Sequence, residues 1–299
     1  MKRKWLTVIL ILLATNVVFA QAKLSVQGIY QVSDLNFSIA GTPAGSGPNV
    51  FSELKWQNVV QKGYGFNLQT IFFKKNIADF QFNSLFIKSG TLSDIDYASD
   101  NRTDIFSSYY GVTAGFNRNI TASLGYQIFK GETFSITAKA GYLGQFQKNY
   151  ILNAKETGLT SDPSVYIENL NSYYRTNWNG FGPTISFKLI PFKAFEVSYN
   201  LAGYYVKNKG YGNWNLRENL AKPKSYLHQA KGYILNTDVE MKYIYNEKWD
   251  IGIGTSYRYG IAKKGTDVLL FNNNTSSTTR LNEVEFEALS VAASIGYRF

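Results

Sequence analysis

The chain has 299 residues, 44% hydrophobic and 16% aromatic, with 17% charged residues and a formal net charge of +10. Low charge beside abundant Tyr and Phe excludes intrinsic disorder. The absence of Cys excludes a disulfide framework, a thiolate metal site and a thiol nucleophile, and a single His excludes any site built on two imidazoles.

Residues 1–20 read as a secretory signal peptide. Lys2, Arg3 and Lys4 form a basic start, Trp5 to Leu13 is an apolar run, and Val18-Phe19-Ala20 ends on a small residue. Its cleavage would lower the net charge from +10 to +7 by removing those three cations. No later stretch offers the roughly 18 consecutive apolar residues of a membrane helix. The mature chain, 21–299, is expected to form one domain.

That domain alternates. The predicted strands run, in chain order, over about 23–31, 51–73, 79–89, 105–129, 133–149, 172–190, 194–207, 224–245, 249–261 and 283–299. On the second, Trp56, Phe66, Leu68, Thr70 and Phe72 share one parity, which predicts a single unbroken strand with Glu53, Lys55 and Gln57 inward. The fourth keeps the parity of Phe106, Val112, Phe116, Ile120 and Leu124 across Asn117-Arg118-Asn119, so it too is expected to be continuous. The last is the clearest: Leu289, Val291, Ala293, Ile295, Tyr297 and Phe299 on one face, Ser290, Ser294, Gly296 and Arg298 on the other.

The strand number is even, and short turns (74–78, 130–132, 190–193, 246–248) alternate with long connections (32–50, 90–104, 150–171, 208–223, 262–282). A bilayer needs about 9–11 residues per tilted strand, so strands near twenty would stand well above it. The expected fold is all-β: a tall, ten-stranded antiparallel transmembrane β-barrel with short periplasmic turns, long extracellular loops and a C-terminal Phe. The expected location is the outer membrane of a Gram-negative bacterium. A soluble sandwich would use strands of about 5–6 residues.

Several runs resemble the omptins, ten-stranded outer-membrane proteases. Ser52-Glu53-Leu54-Lys55-Trp56 is similar to their Ser-Gln-Leu-Asp-Trp run. Asp94-Ile95-Asp96-Tyr97 resembles their Asp-x-Asp-Trp motif, and Lys263-Lys264-Gly265-Thr266 with Asn272 to Ser276 resembles their fifth outer loop. The order of these runs covers the mature chain. Protochlamydia-type outer-membrane proteins, a similar fold described as porins, are a further resemblance.

The omptin resemblance implies a water activated between an Asp-x-Asp pair and an Asp-x-His pair across the barrel mouth. Asp94 and Asp96 match the first pair. At the second, the register from Gly203-Tyr204 places Tyr211 and Asn213. His228 is the one imidazole left to act as base, and no Asp or Glu lies within five residues of it in sequence. Asp94, Asp96 and His228 are therefore the candidate catalytic residues.

The leading expectation is an omptin-like barrel lacking the full protease constellation and acting in surface binding, adhesion or envelope structure. The alternatives are an aspartic endopeptidase working through Asp94 and Asp96, and a small porin. Outward basic residues such as Lys148, Arg175 and Lys231 suit phosphorylated outer-membrane lipid, including lipopolysaccharide. Basic peptides or host surface ligands are further candidate partners. No cofactor, metal or nucleic-acid partner is expected.

Overall fold

The computed structural model describes residues 21–156 and 166–299; the expected signal peptide lies outside the described residues. Strands β1 (Gln21–Ile39), β2 (Ser52–Phe72), β3 (Asn76–Ser99), β4 (Thr103–Val112), β5 (Gly115–Lys130) and β6 (Phe134–Glu156) are followed by five more. These are β7 (Ser172–Phe192), β8 (Phe195–Asn213), β9 (Tyr226–Ile244), β10 (Trp249–Leu270) and β11 (Ser276–Arg298). All pairings between them are antiparallel, and the pairing of β1 with β11 closes the sheet into a ring. Closure leaves no sheet edge, which a lipid environment requires because it offers backbone groups no partner.

β4 and β5 are two halves of one stave: both pair with β3 on one side and β6 on the other. The ring is therefore ten staves around. The expectation of an unbroken fourth strand fails at Thr113-Ala114. Gly115 there has φ +138, and a Cβ on it would sit 1.9 Å from the Lys148 carbonyl oxygen, so only glycine allows that approach. The staves also reach further outward than the alternation suggested. β1, β3 and β10 continue through most of 32–39, 90–99 and 262–270, which were expected as loop.

Three neighbouring staves break at one level: Asn58 on β2 (φ +52), Gly90 on β3 (φ +155) and Thr113-Ala114. A one-residue irregularity exchanges the two faces of everything beyond it. Below the break Tyr64 and Leu68 of β2 are exposed to lipid and Gln61 is buried. Above it Leu54 and Trp56, of the same even parity, are fully buried in the lumen. Glu53, Lys55 and Gln57 consequently face outward, against the expectation; Arg102 covers Glu53, donating to its carboxylate at 2.9 Å.

The lumen has two storeys. The lower one is a cavity of about 760 Å³ lined by polar groups such as Lys23, Asp79, Lys139, Glu196, Asp238 and Arg258. Ion pairs cross it, with Lys139–Asp79 at 2.5 Å and Lys23–Asp250 at 2.6 Å. The upper storey is packed. Residues from nine strands form one buried cluster there, among them Phe37, Leu54, Trp56, Tyr174, Trp178, Tyr226, Leu281 and Phe286.

On β11, Val291 and Ile295 are half exposed on the lipid side, while Ser294 is buried and accepted into the lumen, donating to Glu240 at 3.1 Å. Val291→Lys or Ile295→Lys is expected to block assembly, since a cation near the bilayer midplane costs about 2–4 kcal/mol. Ser294→Lys should be milder. The heat-dependent gel shift of membrane-extracted protein reads this, and equal effects at all three positions would contradict the assigned faces.

Candidate functional site

The parity exchange at Gly90 turns Asp94 and Asp96 inward, on the upper part of β3 rather than on a loop. They pair with Leu54 and Ser52 of β2. Both lie well above the strand segment that crosses the membrane. Burial, then the charge of Asp96, pushes the Asp94 carboxyl up to about 8, against the pull of Arg217 and a Ser52 hydrogen bond. Burial also raises Asp96, with Ser52 and Arg217 opposing.

A carboxyl raised above its unfolded value of about 3.8 carries more protons folded than unfolded between the two values. Stability is then full below about pH 4 and declines as pH rises through about 8. Wild-type protein should accordingly lose thermal resistance between pH 5 and 9, read from the gel-shift midpoint. Asp94→Asn should flatten that decline and resist heating better at pH 9; an unchanged slope would contradict the assignment.

His228 is 2% exposed, inward on β9 and opposite Gly210 of β8. A carboxylate partner does exist, from the next strand. Nε2 lies 3.1 Å from Asp267 Oδ1, off the line of a ring N–H, and Asp267 Oδ2 accepts from Thr279 at 2.9 Å. Nδ1 lies 3.0 Å from the Tyr174 hydroxyl. Burial holds that phenol well above its usual range, so it stays protonated, and the imidazole tautomer sets which of the two donates. At 2% exposure the ring is packed away from solvent, which keeps water from both nitrogens. Phe37 caps the ring edge-on at 4.6 Å, and Tyr226 lies 5.0 Å away, centroid to centroid.

Tyr211 and Asn213 do not supply an Asp-x-His equivalent, and they do not face the lumen. The buried, inward positions here are Gly210 and Gly212. A Cβ on Gly210 would lie 2.3 Å from the Tyr174 hydroxyl, and one on Gly212 would lie 2.1 Å from the Tyr226 ring. Two tyrosines thus occupy the space an inward pair would need.

Those rings continue a stack across the mouth: Trp56–Tyr174 at 5.8 Å and 14°, Tyr174–Tyr226 at 6.1 Å and 12°, then Trp214 at 5.7 Å from Tyr226. Tyr226 joins the two halves of the site. Its buried hydroxyl has no hydrogen-bond partner among the described residues, and burial, then Tyr174, Asp94 and Asp267, all raise its pKa. Asp94 and Asp267 therefore act on one phenol. Among the described residues, neither Asp94 nor Asp96 makes an ion pair with His228, and no cluster of three metal-ligating side chains occurs.

Sequence reasoning missed Asp267, Tyr174 and Tyr226. The β9–β10 hairpin pairs Lys231 with Lys263 and, without a break, would pair His228 with Thr266. A bulge between Lys263 and Thr266, with Lys264 at φ +53, moves the partner to Asp267 and turns it inward.

A family model described as Protochlamydia outer membrane protein matches residues 26–299. No curated protein sequence matches. Among solved structures, the outer membrane protease OmpT from Escherichia coli is similar with a TM-score of 0.76 at 13% identity, covering 94% of this chain and 97% of that one. The translocator domain of autotransporter NalP from Neisseria meningitidis has a TM-score of 0.38 at 10% identity, covering 100% and 95%. The likeness to the protease shows an omptin-like outer-membrane barrel fold.

Proposed function

The chain belongs to the Protochlamydia outer membrane protein family, and on that premise we propose that it is a plugged outer-membrane barrel acting in surface binding and envelope structure, without peptidase activity. One observation carries this reading. The residues that a hydrolytic site would need are spent on the packing of the upper lumen. A general base needs a free lone pair within reach of a water near neutral pH. His228 is buried among the rings of Phe37, Tyr174 and Tyr226, with Nδ1 3.0 Å from the Tyr174 hydroxyl.

Asp94 and Asp96 remain as a half-buried carboxyl pair near Arg217, a site able to hold a basic group without cleaving the chain that carries it. The test uses purified protein with outer-leaflet lipid and peptides containing Arg-Arg or Lys-Arg. The expected result is binding, with cleavage no faster than that of the Asp94→Ala, Asp96→Ala double variant. Turnover lost in that variant, or in His228→Ala, would refute the reading.

A porin is the second reading, favoured by the polar lower cavity. The packed upper storey argues against a continuous path. Planar-bilayer recording separates them: the plugged barrel should give no solute-dependent current.

A further inference from the structure

Two separate sides of the barrel carry opposite charge above the membrane-crossing segments. On β1 and β11, Asp34, Glu283, Glu285 and Glu287 all project outward; Glu283 pairs with Lys263 of β10 at 3.6 Å, and Asp34 and Glu287 are cross-strand partners, both exposed. On β6 to β9, Lys148, Arg175, Lys207, Lys209 and Lys231 project outward, with Lys207 directly opposite Lys231 and Lys148 opposite Arg175. Outward positions beside them on those four strands are Tyr, Phe, Asn, Gln and Gly, with no carboxylate.

Arg175 lies farthest out, seventeen residues from the periplasmic end of its strand, and Asp34, Glu287, Lys207 and Lys231 lie eleven to thirteen residues from theirs. At about 3.3 Å per residue and a tilt near 40°, about a dozen residues span about 30 Å, the outer margin of the bilayer. In the ring order, the β1–β11 pair lies half a turn from the β6–β7 pair. Below the charges the two sides also differ in shape. A groove runs along Gly28, Tyr30, Val291 and Ala293 on the acidic side, with Lys62 at its edge over the Tyr30 ring. On the basic side Phe181, Tyr205 and Tyr233 stand out, at 71%, 53% and 66% exposure.

We propose that the acidic β1–β11 face docks onto the basic β6–β9 face of a second copy of this chain, side by side in the outer membrane. Charge complementarity selects the partner, and the aromatic side chains beneath fit the groove left by Gly28 and Ala293. The contact is head-to-tail. Each dimer leaves one face of each kind free, so further copies can add in a row. The carboxylates also repel phosphorylated lipid from the acidic face, which leaves that face to a basic protein surface.

This deepens the envelope-structural reading but is tested apart from it. Conductance or proteolysis would refute the plugged barrel and leave the row untouched. The chain has no Cys, so Glu287→Cys on β11 and Lys148→Cys on β6, five staves apart in the ring of ten, can be introduced together in the full chain. The two sites lie on opposite sides of one barrel, so a short bis-maleimide can join them only between copies. In outer membranes the pair is expected to give a ladder of dimers, trimers and longer products. Each single variant, and Glu287→Cys with Thr91→Cys, should give about tenfold less.

Adding Asp34→Lys, Glu283→Lys and Glu285→Lys should abolish the ladder while the heat-dependent gel shift persists. About 1 M salt, which shortens screening to about 3 Å, should cut it several-fold. Dimers from a single variant as strong as the pair, or no ladder, would overturn the proposal. So would a ladder seen in phosphatidylcholine vesicles that vanishes when lipid bearing a phosphate monoester is added, because the basic face would then belong to lipid.

Discussion

Alanine at Trp56 and Tyr174 together is expected to destabilise the barrel more than any other pair of substitutions considered and to open the upper lumen. Both side chains are fully buried, and they stack on each other at 5.8 Å. Truncating a buried aromatic costs about 3–5 kcal/mol each through lost transfer energy and the cavity left behind. Neighbours in contact do not add, so the pair should cost less than the sum of the singles. Urea unfolding in detergent reads the energy, and planar-bilayer recording reads the opening. A folded double variant is expected to pass current where the wild type does not. Equal conductance before and after would mean that the stack is not what closes the mouth.

The second large effect is at Asp267. Asp267→Ala removes the carboxylate that lies 3.1 Å from buried His228 Nε2 and accepts from the half-buried Thr279 hydroxyl. A buried donor stranded in this way costs about 1–3 kcal/mol. Asp267→Leu combined with His228→Phe should recover part of that loss, because replacing both members of a buried polar pair leaves nothing unsatisfied. The coupling, measured by a double-mutant cycle on urea unfolding, is the quantity of interest. Additive effects would show that the 3.1 Å approach contributes nothing. If His228 were instead a catalytic base, the double variant would lose turnover that the wild type possessed.

Period-2 alternation was enough to read the barrel, its antiparallel order and its ten staves. The lipid face of β11, from Leu289 to Phe299, follows directly from it. Alternation is reliable there because lipid and lumen demand opposite residue types at successive positions. The sequence also carries the carboxylates Asp94 and Asp96 and has Tyr211 and Asn213 at the Asp-x-His register. What these side chains face does not follow from it. Trp56 shares the parity of the lipid-facing Leu68 yet lies inside, because Asn58 inserts a residue between them.

The same limit hid Asp267. Hairpin counting from the Asn246–Lys248 turn places Thr266 opposite His228, and one bulge residue changes the answer. A bulge costs little locally and leaves no compositional mark, but it reverses every side chain beyond it. Composition and alternation therefore determine which surfaces meet lipid over the membrane-crossing half. Which side chains meet at the mouth depends on irregularities in four separate staves, and only the closed ring brings those staves to one level.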